Sequence, residues 1–103
     1  MSAKPIKADW SHAILVCRKC SKRQKGGFGP DGRTRLAKRL RKLFNAKKGR
    51  KSPVGVIEVG CLDICPKHAV VVIDSRHPDQ WALVKPGIDD EALRRLFARD
   101  QAA

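Results

Sequence analysis

A chain of 103 residues, 42% of them hydrophobic, has the size of one domain (1–103) with a single small apolar core and a short polar, flexible tail at 1–9. It has no apolar run of the roughly 18 residues a membrane helix needs, and Met1 to Asp9 lacks the apolar stretch of a signal peptide, so the expectation is no membrane and a reducing, cytoplasmic location. The net charge of +13 is concentrated: Arg18 to Lys51 holds fifteen Lys or Arg and one acid, Asp31, for +14, and the rest of the chain carries −1.

The pattern predicts a first strand over His12–Cys17 (HAILVC), an apolar run closed by a cysteine. CSKRQKGGFGPDG, rich in Lys, Gly and Pro, predicts a loop. From about Gly32 to Ala46 the residues Leu36, Leu40, Leu43 and Phe44 recur at helical spacing, with Arg35, Lys38, Arg39, Arg41 and Lys42 on the other faces. Lys47–Pro53 is a basic connector broken by Gly49 and Pro53.

A second strand over Val54–Val59 runs into Gly60 and a turn carrying Cys61 to Cys65. Ala69–Asp74 predicts a third strand, the loop SRHPDQ has turn chemistry, and Trp81–Val84 predicts a fourth strand. Asp89 caps a last helix to about Arg99, with Asp90 and Glu91 in its first turn, Arg94, Arg95 and Arg99 toward its end, and Ala92, Leu93, Leu96 and Phe97 on its buried face. The order is β-α-β-β-β-α: an α/β layer of two helices covering a four-stranded sheet, whose strand order the pattern leaves open. Trp10, Phe28, Phe44, Trp81 and Phe97 read as core or interface anchors rather than a base-stacking platform.

The four cysteines form two close pairs, C-x2-C at Cys17 and Cys20 and C-x3-C at Cys61 and Cys65, with 40 residues between them. In a reducing compartment such pairs are metal ligands or redox thiols rather than structural disulfides. Four thiolates meeting at one point can hold Zn²⁺ or an iron–sulfur cluster. Zinc ribbons usually repeat a C-x2-C knuckle, and GCLDIC has one residue too many, so the spacing favours iron–sulfur. Gly60 permits a tight turn, Leu62 and Ile64 can shield sulfide from water, and Arg18, Lys19, Lys22 and Lys67 can offset the charge of about −2 on an oxidised cluster with four thiolates.

The run VIEVGCLDICPKHAVVVID, followed by WALVKPGIDDEALRRLF, resembles the C-terminal half of the thioredoxin-like [2Fe–2S] ferredoxins. That family places G-C-x3-C after a strand, then an apolar strand, a hairpin partner, a V-K-P-like element and a last helix, and its first ligand closes the first strand as Cys17 does. The resemblance implies a thioredoxin-like fold, a [2Fe–2S] cluster on Cys17, Cys20, Cys61 and Cys65, one-electron transfer without catalysis of its own, and often a homodimer. The chain departs from the family in the close spacing of its first pair and in its basic charge.

Two rival functions stay open. A zinc-stabilised basic module would bind nucleic acid or an acidic protein. A thiol–disulfide oxidoreductase would use CRKC after a strand, but it needs its first cysteine at a helix N-terminus, and the following residues predict a loop. Gly26-Gly27-Phe28-Gly29 lacks phosphate-loop spacing, and His12, His68 and His77 are isolated. The basic segment Arg18–Lys51 is a solubilising face, a dock for an acidic redox partner, or a contact for nucleic-acid backbone.

Overall fold

In the computed structural model, which describes residues 4–62, 64 and 66–98, the chain forms seven elements. They are β1 (Ala13–Cys17), α1 (Arg18–Gln24), α2 (Leu36–Leu43), β2 (Gly55–Val59), β3 (Val70–Asp74), β4 (Ala82–Val84) and α3 (Asp90–Ala98). The architecture is a small α/β domain with a four-stranded mixed sheet and three helices, one more than the sequence predicts. The expected last residue of the final helix, Arg99, lies outside the described residues.

The sheet order is β2-β1-β3-β4. β1 pairs β2 in parallel, with Ile14 opposite Val56 and Cys17 opposite Val59. β3 runs antiparallel to both its neighbours, with Leu15 opposite Ile73 and Val72 opposite Ala82. Central position explains composition: all five residues of β3 (VVVID) are buried, the near-continuous apolar reading of a strand covered on both faces. The edge strands β2 and β4 instead expose Ile57 and Leu83.

The unforeseen element is α1. Lys, Arg and Gln are good helix formers, and RKCSKRQ contains no Gly or Pro, so seven residues close into helix before the glycines intervene. Cys17 stands at the N-cap with extended backbone, and Ser21 Oγ, four residues on, donates to the Cys17 carbonyl at 3.0 Å. The helix stops at Lys25, whose φ of 52° is left-handed and whose N–H returns to the Lys22 carbonyl. Its last turn carries Lys22 and Arg23, which suits the helix dipole.

α2 starts later than the apolar spacing predicts because residues 28–34 make a small closed turn, and it ends before Ala46, at Leu43, ahead of the left-handed Asn45 (φ 55°). Phe28 and Thr34 exchange backbone hydrogen bonds of 3.0 and 2.9 Å, and Asp31 Oδ1 accepts the Arg33 N–H at 3.0 Å. Leu36, Ala37 and Leu40 then face the core. Leu93 and Phe97 of α3 join that core, and Phe97 meets Phe44 edge to face, centroids 6.4 Å apart. Arg39 and Asp90 join α2 to α3 through a two-pronged pair, its Nε–Oδ1 arm 2.8 Å. Arg76 binds both Asp74 oxygens and the Phe97 carbonyl, fastening the end of β3 to α3.

Candidate functional site

The parallel register of β1 and β2 builds the site. Cys17 ends β1 opposite Val59, the last residue of β2, so the CRKC turn and the GCLDIC loop leave the carboxyl ends of two adjacent strands side by side. That is the position where open α/β sheets hold ligands.

Cys17 and Cys20 are brought together and buried, at 0% and 1% exposure. Burial by itself raises the Cys17 thiol, but hydrogen bonds from the Cys20 N–H and thiol and from the Leu62 and Lys19 N–H groups outweigh it. The net shift is downward, toward thiolate. Cys20 Sγ in turn lies 3.9 Å from the Ile64 carbonyl. The second cysteine loop thus touches both members of the first pair through its own backbone. A further tie, Gln24 Nε2 to the Lys67 carbonyl at 3.1 Å, holds α1 against the far end of that loop.

The remaining two expected ligands are placed differently. Cys61 is exposed, and among the described residues no three His, Cys, Asp or Glu side chains gather into a metal-sized group. Cys65 lies outside the described residues. The cations expected beside the ligands, Arg18, Lys19, Lys22 and Lys67, are all exposed and rim the two loops. Leu62 is half-buried and Ile64 exposed.

Sequence reasoning missed the backbone donors of Lys19 and Leu62 and the helical start after Cys17. The helix had a signal, the propensity of RKCSKRQ, which the Lys-rich composition and the glycines beyond it masked. The backbone donors had none, because they depend on how two distant loops meet. Contrary to the expected loop after CRKC, Cys17 does precede a helix, and its thiol is lowered.

Among the described residues no helix is long and apolar enough to cross a membrane. Comparison of the chain with protein-family models, curated proteins and solved structures returns no match.

Proposed function

We propose that the chain is a [2Fe–2S] electron-transfer protein of thioredoxin-like fold, with Cys17, Cys20, Cys61 and Cys65 as ligands. The observation that carries this reading is the register of Cys17 opposite Val59, which starts the two cysteine loops next to each other. The sheet order β2-β1-β3-β4 with β3 antiparallel to its neighbours supports the fold assignment.

The donor set fits such a group. Cys17 and Cys20 supply two buried sulfurs, the Leu62 and Lys19 N–H groups already aim at the Cys17 sulfur, and such hydrogen bonds tune thiolate-ligated clusters. Cys61, two residues past Val59 and exposed, would supply a third sulfur from the second loop. A cluster held here would supply one-electron transfer. The chain's own part is to keep water from Cys17 and Cys20 and to present the cationic rim of Arg18, Lys19, Lys22 and Lys67 to an acidic redox partner.

Anaerobic purification with iron, sulfide and zinc analysis, and EPR after dithionite reduction, tests the proposal. Cys61→Ser and Cys65→Ser should each abolish or strongly alter the visible spectrum. Wild-type colour and iron content in both variants sinks the ligand assignment, and one zinc in a colourless protein replaces the cluster with a structural Zn²⁺ site.

A second reading is favoured by one specific observation, the lowered Cys17 thiol ahead of α1. A thiol–disulfide oxidoreductase would need no metal and would reduce insulin in a Cys17-dependent manner. It leaves the GCLDIC loop without a task, and for that reason it ranks second.

A further inference from the structure

From Gly32 to Ile57 the chain has ten Lys or Arg and no acid. Two of these cations are neutralised by folding, Arg35 by Glu58 and Arg39 by Asp90. Among the described residues Arg41, Lys47 and Lys48 form no ion pair, and all three line one groove of about 400 Å³ together with Trp10, Gly49 and Ile57. The groove runs along the outer edge of β2, an edge strand. It shares no residue with the cysteine loops.

Its walls are held in place. The Trp10 indole N–H donates to the Gly49 carbonyl at 2.9 Å, and Arg41 Nε donates to the Val56 carbonyl at 3.1 Å. The backbone on either side of Trp10 is tied to the connector, Asp9 N–H to the Arg50 carbonyl at 2.7 Å and Ser11 N–H to the Pro53 carbonyl at 2.8 Å. The indole lies on Gly55, where a Cβ would run into three of its ring atoms. One face of the ring is thereby covered by backbone, and the part-exposed remainder belongs to the groove.

We propose that this groove binds single-stranded nucleic acid, with one unstacked base against Trp10 and neighbouring phosphates on Arg41, Lys47 and Lys48. Cations alone would equally suit an acidic protein. The combination of a fixed aromatic ring with three cations that form no ion pair among the described residues is the arrangement that binds single strands, in which every base has a ring face to stack and every link a phosphate. A duplex keeps its bases stacked on one another and leaves Trp10 without a partner. The volume is that of a small-ligand site, large enough to admit a base.

The test uses the full chain carrying Trp81→Phe, which leaves Trp10 as the one tryptophan. Titration with a labelled short oligothymidylate should raise the label's anisotropy and quench Trp10 emission together. Three phosphate contacts give a slope of about −2 in log K against log salt. In the wild-type background, Lys47→Glu with Lys48→Glu, both exposed, should weaken binding roughly tenfold or more with an unchanged far-UV spectrum. Binding without quenching, equal quenching by polyglutamate, or an unaffected double variant overturns the assignment, and so does the absence of binding at low salt. Polyglutamate quenching in place of the oligonucleotide would make the groove a dock for acidic protein.

Discussion

The Leu62 N–H points at the Cys17 sulfur across 45 residues of chain, and it does so because Cys17 and Val59 end neighbouring parallel strands in register. One sheet contact therefore sets the meeting of two loops that carry all four cysteines. The same arrangement divides the cysteines by burial, with Cys20 inside and Cys61 outside.

That division makes a prediction for the metal-free protein. Cys20→Ala removes a sulfur that is 1% exposed and should cost about 1 kcal/mol, as for a small buried apolar group. Cys61→Ala should leave the urea midpoint unchanged. Both variants should lose cluster loading to the same degree. Equal stability costs would show that the two cysteines do not differ in burial as described.

The Arg39–Asp90 pair makes stability depend on acidity. The Arg39 hydrogen bonds hold the Asp90 carboxyl below its ordinary value of about 3.9. A depressed carboxyl contributes stability that is present above the unfolded value and is lost as pH falls through the folded one. Arg39→Ala should lower the thermal midpoint at pH 7, and the gap from wild type should close on acidification below about pH 4. A gap that persists at lower pH would assign the loss to packing of the Arg39 stem instead.

Gly55→Ala should push the Trp10 indole off β2. Its Cβ meets ring atoms, and overpacking of this kind costs about 1–3 kcal/mol. Trp10 emission should shift to the red as the ring gains water, and the affinity of the groove for oligothymidylate should fall with it. Unchanged emission in the Gly55→Ala, Trp81→Phe chain would show that the ring does not rest on Gly55.

Phe97→Ala tests the helical side of the core. Phe97 is 4% exposed and packs its ring edge to face with Phe44, so truncation should cost about 3–5 kcal/mol in denaturant unfolding. Phe97→Leu, which keeps most of the volume, should cost well under half of that, and the far-UV spectrum should stay that of wild type. A cost below about 1 kcal/mol would place Phe97 outside the core.

The four strands were legible to within one or two residues because each is an apolar run bounded by Gly, Pro or polar turns. α3 was legible for its caps as well: the Asp89 carboxylate accepts the Ala92 N–H at 2.7 Å. α1 was not, since only two of its residues, Cys20 and Ser21, are buried and an apolar periodicity cannot form on them. The expected start of α2 failed for the opposite reason. The 28–34 turn is closed by hydrogen bonds between Phe28 and Thr34 that no spacing rule encodes.

By itself the sequence determined the apolar runs that become β1 to β4, the concentration of net positive charge in residues 18–51, and the pairing of cysteines as C-x2-C and C-x3-C. These are properties of neighbours along the chain. Only the tertiary structure decided that β2 lies beside β1 in parallel, that Leu62 and Ile64 reach Cys17 and Cys20, and that Trp10 sits among Arg41, Lys47 and Lys48. Strand order and loop contact are set by burial and hydrogen bonding between segments far apart in the chain, and local spacing carries no record of them.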